Sequence, residues 1–312
     1  MADRWLRADP LVRADPRVRA DPRVQADPRV GGGDPVGSEL AFPSDLAQGS
    51  RVAATDRGEL SLTSVSKVFD TPSGSLPVLN GITTTIRRGE FIAVIGPSGC
   101  GKSTLFNVLT GLEVPDAGRV ELDGKDITGS LGHCAYMPQR DLLMPWRSIL
   151  DNTVLGLDVQ GIPRAESRRR AQALFDQFGL SGFEDAYPGE LSGGMRQRAA
   201  LLRTVVQDRE IVALDEPFGA LDSLTRTELQ DWLQRVWQQH DWTVLMITHD
   251  IREAIYLADR VLVLSARPAS IVRDLRVPLR RPREVRGVTA TEFVALEAEL
   301  VELLHCSASA AD

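Results

Sequence analysis

The chain has 312 residues, of which 43% are hydrophobic and 25% are charged, and its formal net charge is −7. A chain of this size buries a large apolar core and needs no metal or disulfide to hold its fold. The negative charge disfavours a surface devoted to nucleic acid. The three cysteines, Cys100, Cys134 and Cys306, are widely spaced, which excludes a disulfide scaffold or a zinc ribbon. No apolar run of about 18 residues occurs, so we expect no membrane-spanning segment.

The chain begins with a short repeat. Arg7–Val12, Arg13–Val18, Arg19–Val24 and Gln25–Val30 are variants of the sequence RADPRV. The proline in each unit is incompatible with a helix and removes a backbone donor from a sheet, and the charges leave little to bury. We therefore predict a disordered tail and linker over residues 1–57, and favour a passive tail over a docking or regulatory one.

The ordered part is expected to begin near Leu60, where apolar and polar residues alternate as in a half-buried strand. Continuous apolar runs typical of buried strands follow at 91–95, 211–214, 244–247 and 261–264. Apolar residues at helical spacing predict helices near 195–206 and 251–258, and the stretch from about 146 to 190 reads as mostly helical. Strands that alternate with helices indicate an α/β domain with a largely parallel sheet. The spacing of Phe293, Leu296, Leu300, Leu303 and Leu304 predicts an amphipathic helix near the end.

Residues 96–103, GPSGCGKS, match the phosphate-loop pattern G-x-x-x-x-G-K-[ST] between a predicted strand and a predicted helix. Glycines let backbone N–H groups converge on phosphate oxygens, and the helix that begins near Lys102 adds the positive end of its dipole. Lys102 supplies charge to the β- and γ-phosphates, and the Ser103 hydroxyl can bind Mg²⁺. The Cys100 side chain has no indicated role. The expected phosphate site comprises Gly96, Pro97, Ser98, Gly99, Cys100, Gly101, Lys102, Ser103 and Thr104.

Acidic and imidazole side chains follow two of the other predicted strands. Asp215 and Glu216 come directly after the strand at 211–214, and His249 comes shortly after the strand at 244–247. Ligands of open α/β sheets bind beyond the carboxyl ends of the strands, so these residues are expected beside the phosphate loop. Asp215 suits Mg²⁺, Glu216 can orient and deprotonate an attacking water, and His249 is placed to contact the γ-phosphate.

The segment from Leu191 to Arg198, LSGGMRQR, is similar to the signature of ATP-binding cassette (ABC) ATPases. The resemblance covers about residues 60–267, and its motifs occur in the family's order: Phe69, the 96–104 loop, Gln139, the signature, Asp215 and Glu216, Ala220–Asp222, and His249. It implies a P-loop NTPase fold of the ABC type, with a RecA-like, mostly parallel core sheet, an antiparallel β subdomain and an inserted α-helical subdomain at about 140–197. The ATPase domain would span 58–268 and a C-terminal extension 269–312.

The resemblance also implies how the motifs act. Two copies pair head to tail, and each ATP lies between the phosphate loop of one copy and Ser192, Gly193 and Gly194 of the other. These three residues precede a predicted helix, so their N–H groups form a second anion site. By the same resemblance Phe69 stacks on adenine, where the family often has Tyr, and Gln139 contacts Mg²⁺ and water. Asp215 and Ser103 are the other Mg²⁺ residues, and Asp222 braces the dimer.

Two further segments narrow the resemblance. Asp141–Trp146, DLLMPW, and Tyr187–Glu190, YPGE, are similar to importer ATPases for nitrate, alkanesulfonates, taurine and thiamine-pyrimidine precursors. In that family a groove after Gln139 receives a permease helix, which here would meet the apolar residues Leu142, Leu143, Met144 and Trp146. Plain core residues would give the same pattern. The implied partners are membrane permease subunits, a second ATPase subunit and, indirectly, an extracytoplasmic solute-binding protein, at the cytoplasmic face of the membrane and without nucleic acid.

Two other functions compete with an importer subunit. A soluble ABC protein of DNA repair carries a long coiled coil between phosphate loop and signature, for which this spacing leaves no room, and one of translation carries two cassettes where this chain has one. A regulatory module that binds ATP without hydrolysis would be expected to lack Glu216 or His249, and both are present. The transported solute does not follow from the sequence.

Overall fold

The computed structural model describes residues 59–240 and 242–309. The repeat at 7–30 and the rest of the predicted tail at 1–57 lie outside this part of the chain. The first half contains β1 (Leu60–Thr71), β2 (Gly74–Ile86), β3 (Phe91–Ile95), α1 (Lys102–Leu109), β4 (Ala117–Leu122), β5 (Lys125–Asp126) and β6 (Cys134–Met137). A helical stretch follows with α2 (Ile149–Thr153), α3 (Leu155–Val159), α4 (Arg164–Phe175), a 3₁₀ turn (Pro188–Glu190) and α5 (Gly193–Val205). The last part contains β7 (Ile211–Asp215), α6 (Ser223–Gln239), β8 (Thr243–Ile247), α7 (Ile251–Leu257), β9 (Arg260–Leu264), β10 (Ile271–Arg276), a 3₁₀ turn (Val285–Thr289) and α8 (Thr291–Ser309).

The strands form two sheets. The first is antiparallel, with the order β2-β1-β4-β5, and the second has the order β10-β9-β3-β8-β7-β6. In the second sheet β9, β3, β8, β7 and β6 are parallel, and only β10 runs antiparallel to its neighbour, at the edge. Every residue of β3, β7 and β8 is buried, which accounts for their continuous apolar sequences. The four buried strands predicted from these runs are confirmed.

Two apolar cores flank the parallel sheet. Successive side chains of a strand point to opposite faces, so β3 contributes Phe91, Ala93 and Ile95 to one core and Ile92 and Val94 to the other. The first core contains residues of α2 to α8, and the second contains residues of the antiparallel sheet and α1. Within the described residues, 59–240 and 242–309, no helix has the length and apolarity needed to cross a bilayer.

Strand β1 departs from the simple alternation seen in the sequence. Ser64 has a positive φ of 51°, and the pairing of β1 with β2 shifts register between Leu62 and Val65. This bulge places the side chains of Leu62 and Val65 on the same buried side, although three positions separate them. Strand β4 approaches the bulge closely. A Cβ on Gly118 of this strand would lie only 2.4 Å from the carbonyl oxygens of Thr63 and Ser64.

The end of helix α1 also differs from the end that the apolar spacing predicts. The apolar spacing of Leu105, Val108, Leu109 and Leu112 predicts a helix that extends to Leu112, but α1 ends at Leu109 and Leu112 is exposed. Gly111 ends the turn with a φ of 79°, and a Cβ on it would lie 2.2 Å from the carbonyl oxygen of Ser130. A tight approach of two loops therefore stops the helix.

The C-terminal segment is packed onto α7 by buried polar contacts. The guanidinium of Arg283 donates to the carbonyl oxygens of Ile255, Tyr256 and Ala258 at the end of α7. Burial lowers the pKa of Arg283 to about 10, with the neighbouring Arg281 acting in the same direction. Helix α8 then buries Phe293 and Leu300, two of the positions that the sequence predicts for its apolar face.

Candidate functional site

The phosphate loop connects β3 to α1 and is packed from both sides. Gly99 and Gly101 have φ values of 71° and 122°, a region that favours glycine. A Cβ on Gly101 would lie 2.8 Å from Cγ1 of Val78, and one on Gly96 would lie 3.1 Å from Cβ of Leu264. The glycines of the motif are therefore required by the backbone conformation and by the close approach of β2 and β9.

Lys102 lies inside the loop that it follows. Its ammonium donates to the carbonyl oxygens of Gly96 and Pro97, each at 2.9 Å, and the side chain is largely buried. An ammonium carries three donors, so at least one remains for a phosphate oxygen. The thiol of Cys100 is buried, and burial raises its pKa, with Lys102 opposing the shift. Cys100 is thus placed to offer its backbone to a ligand rather than its thiol.

Asp215 is the last residue of β7 and is 2% exposed. Burial raises the pKa of its carboxyl group, a hydrogen bond from the Ser103 hydroxyl lowers it, and the charge of Glu216 raises it further. Asp215 therefore touches the first turn of α1, directly behind the phosphate loop. Burial and the charge of Asp215 also raise the pKa of Tyr136 on the neighbouring strand β6.

The structure brings together Gln139, Glu216 and His249, which follow three neighbouring strands. Oε2 of Glu216 lies 3.2 Å from Nε2 of Gln139 and 3.5 Å from Nδ1 of His249. Glu216 has a positive φ of 49°, and its backbone N–H donates to the carbonyl oxygen of Ile247 at 3.0 Å. The backbone therefore holds the turn after β7 against the end of β8, and the carboxylate faces both polar partners.

Comparison with known proteins agrees with this geometry. The sequence profile of the family described as ABC transporter matches residues 79–219. An aliphatic sulfonates import ATP-binding protein of Rhodococcus jostii is 46% identical over 225 residues, which are 72% of this chain and 86% of that protein. A formylaminopyrimidine import ATP-binding protein of Halalkalibacterium halodurans is 41% identical and covers 74% of this chain and 92% of its own length. The chain belongs to the ABC transporter ATP-binding proteins.

Solved structures place the fold of this ABC cassette in the same group. A structure described as a dimeric bacterial ABC transporter cassette superimposes with a TM-score of 0.65 at 28% identity, over 71% of this chain and all of the other. The fold predicted from the resemblance, an ABC-type P-loop NTPase, is thereby confirmed, as is the prediction of an ATP-binding and ATP-hydrolysing transporter subunit. Further relatives are named for nitrate and taurine import, and the soluble alternative gains no support.

The signature of the cassette lies at the start of α5. Ser192 is its N-cap, and the hydroxyl accepts a hydrogen bond from the Met195 N–H at 3.2 Å. Ser192 and Gly193 are exposed, and the N–H groups of a first helical turn have no partner within the helix. Gly194 packs against Leu221 in the segment that ends at Asp222. The structure thus leaves an amide-rich helix start open to a ligand outside the chain.

Asp222 acts within its own chain as the N-cap of α6. Its carboxylate accepts from the Thr225 N–H at 3.0 Å, and this bond lowers the pKa of the Asp222 carboxyl. A bracing role at a dimer contact stays a prediction. Phe69 is half-buried on β1, and Nζ of Lys67 lies 5.3 Å from the centroid of its ring. Stacking of Phe69 on adenine likewise stays a prediction.

The apolar segment after Gln139 divides into exposed and buried residues. Leu142 is 60% exposed and Trp146 is 73% exposed, whereas Leu143 belongs to the core beside the helices. Leu143 is therefore a core residue, the alternative that the sequence pattern left open, and does not contribute to an exposed groove. Asn152 fixes the loop: its amide donates to the carbonyl oxygens of Met144, Arg147 and Ser148 and accepts from the Met144 N–H.

Some contacts of the site were not predicted. Gln197 of α5 donates to the carbonyl oxygen of Glu216 at 3.2 Å and so links the signature helix to the catalytic turn. Arg203, one turn and a half further along α5, donates to the carbonyl oxygens of Asp141 and Leu142. Both residues lie in α5, and the apolar spacing that predicts this helix marks other positions along it. Polar residues on a helix are usually solvated, and no spacing signal marks these two.

Proposed function

We propose that the cassette uses ATP hydrolysis at Glu216 to drive import of a small solute through a membrane permease. The observation that carries this proposal is the meeting of Gln139, Glu216 and His249 at the end of the sheet where the phosphate loop begins. The names of the relatives support import, and they range over sulfonates, nitrate, taurine and formylaminopyrimidine. We propose that the imported solute is likewise a small polar molecule.

The geometry divides the two oxygens of Glu216 between two tasks. Oε2 accepts from Nε2 of Gln139 and lies 3.5 Å from Nδ1 of His249, while Oε1 has no hydrogen-bond partner among residues 59–240 and 242–309. A carboxylate held through one oxygen can accept a proton with the other. Glu216 then orients a water for in-line attack on the terminal phosphate and takes its proton, while Lys102 offsets the charge that develops on the phosphate oxygens.

The residues present fit a magnesium ion. Ser103, Asp215 and Gln139 offer oxygen atoms, the ligands that Mg²⁺ prefers, and the hydroxyl of Ser103 already touches Asp215. Residues 59–240 and 242–309 contain no cluster of three His, Cys, Asp or Glu side chains, as expected where phosphates and waters supply most ligands. We propose that these three residues hold Mg²⁺, which when bound neutralises charge on the β- and γ-phosphates.

Three assembly proposals follow. Two copies bind two ATP molecules head to tail, with Ser192, Gly193 and Gly194 completing the site of the other copy. The exposed helix start and the dimeric cassette structures support this arrangement. Leu142 and Trp146 form the contact with the permease, which places the cassette at the cytoplasmic face of the membrane as a peripheral subunit. An extracytoplasmic solute-binding protein would deliver the solute.

Glu216→Gln tests the function. The amide keeps the shape and the contacts of the side chain but accepts no proton, so we expect steady-state ATP hydrolysis to fall by about 10²- to 10⁴-fold with ATP binding retained. Phosphate release and ATP affinity are measured on the full-length protein, with Glu121→Gln on β4 as a control of matched chemistry. Hydrolysis at the wild-type rate would remove Glu216 from the proposed role.

A further inference from the structure

Arg267 lies at the same edge of the sheet as the phosphate loop. Strands β3 and β9 are parallel neighbours, with Ile95 opposite Val263, so the segments that follow them leave the sheet side by side. Arg267 is exposed, and its Nη2 lies 3.8 Å from the position that a Cβ would take on Gly99. Its guanidinium therefore lies against the outer turn of the loop that receives phosphate.

The turn that carries Arg267 is anchored to the strand that supports the phosphate loop. Ser265 and Ser270 close the turn through backbone and hydroxyl hydrogen bonds, each 2.9 Å long. Ala269 is fully buried; its N–H donates to the carbonyl oxygen of Val78 at 2.8 Å. Val78 in turn lies against Gly101, because a Cβ added to Gly101 would clash with the Val78 side chain. Both loops thus rest on the same residue of β2, which fixes their separation.

The guanidinium of Arg267 forms no ion pair within the described part of the chain. Arg260, on the same hairpin, is paired with Glu90 and Asp274, and Arg273 is paired with Glu299. Arg267 has no hydrogen bond or ion pair to any residue within 59–240 and 242–309. A guanidinium offers a planar set of donors that suits phosphate oxygens, and an unpaired one beside a phosphate loop adds a positive potential there.

We propose that Arg267 binds the terminal phosphates of ATP together with the phosphate loop, as a second cation beside Lys102. The inference rests on the proposed function, because it requires ATP on residues 96–104. An exposed guanidinium that gains a charge-assisted bond to phosphate contributes about tenfold in affinity. The contribution falls with ionic strength because solvent-exposed charges are screened. ATP has one more phosphate than ADP, so we expect Arg267 to raise the affinity for ATP more than the affinity for ADP.

The test uses the full-length protein in EDTA, so that ATP and ADP bind without turnover. The variants are Arg267→Ala and Arg267→Lys, and the control is Arg276→Ala, an exposed arginine at the other end of the same hairpin. We expect Arg267→Ala to raise the Kd of ATP about tenfold and that of ADP less. Arg267→Lys should restore part of the loss, and Arg276→Ala should bind as the wild type does.

Further measurements separate binding from folding. The difference between wild type and Arg267→Ala should shrink in high salt, whereas their melting temperatures without nucleotide should agree. If Arg267→Ala melts lower, Arg267→Gln repeats the comparison with a longer, uncharged polar side chain. An ATP affinity within twofold of the wild type, or equal losses in Arg267→Ala and Arg276→Ala, overturns the inference. A wild-type protein that binds no ATP even in the presence of Mg²⁺ would instead refute the proposed function itself.

Discussion

Replacing Asn152 by alanine tests whether one buried amide holds the loop that presents Trp146. Asn152 is 0% exposed, and its nitrogen faces the carbonyl oxygens of Met144, Arg147 and Ser148 at 3.0–3.1 Å while its oxygen accepts from the Met144 N–H at 2.7 Å. An amide nitrogen has two hydrogens, so the four contacts amount to about three hydrogen bonds. At about 1 kcal/mol each, the loss of stability is about 3 kcal/mol.

Urea denaturation of the full-length protein measures this loss. Gln160→Ala is the control, because that amide makes one hydrogen bond of 3.4 Å to Gln207 in the same helical region, and we expect it to cost less than about 1 kcal/mol. The basal ATPase of Asn152→Ala should stay close to the wild type, since no contact joins Asn152 to the catalytic residues within the described chain. A loss below about 1 kcal/mol would refute the role of Asn152 in fixing the loop.

The remaining predictions concern the dimer, the magnesium site and the permease contact. Ser192→Arg should retain ATP binding and lose hydrolysis in the purified protein; full activity would contradict a site shared between two copies. Because the pKa of Asp215 is raised, its ionised form disfavours folding above a pH of about 4, so Asp215→Asn should melt higher than the wild type at pH 7 while hydrolysis falls. A melting temperature of Asp215→Asn below that of the wild type at every pH would contradict this expectation. Trp146→Ala should keep basal ATPase but lose stimulation by reconstituted permease, whereas Val159→Ala, a control at another highly exposed apolar residue, should be unchanged. Equal stimulation of both variants would place the permease contact elsewhere.

The sequence predicted the buried strands better than the exposed ones. Strands β3, β7, β8 and β9 each contain a continuous apolar run because helices or a second sheet cover both faces, and such a run marks these strands clearly. Strand β6 has only four residues and half-buried positions at Cys134 and Tyr136, so no run marks it, although Gln139 depends on it for its place. The antiparallel sheet was expected only from the family resemblance, because a bulge breaks its alternation at Ser64.

The site shows the same limit at the level of single residues. The phosphate loop and the pair Asp215 and Glu216 are short sequence patterns tied to one strand end each, so their places could be predicted. Leu142 and Leu143 are identical residues in adjacent positions, and only the packing of the folded loop decides which is exposed. Contacts between distant segments, such as Gln197 with Glu216, depend on how helices pack and leave no local signal.

Strand β3 leads into the phosphate loop and lends alternate side chains to both apolar cores. Unfolding of either core would disturb this strand, so the conformation of the phosphate loop depends on both cores of the cassette. Ligand that binds there should accordingly protect backbone amides on both sides of the sheet from hydrogen exchange, including those of the antiparallel strands that carry Phe69.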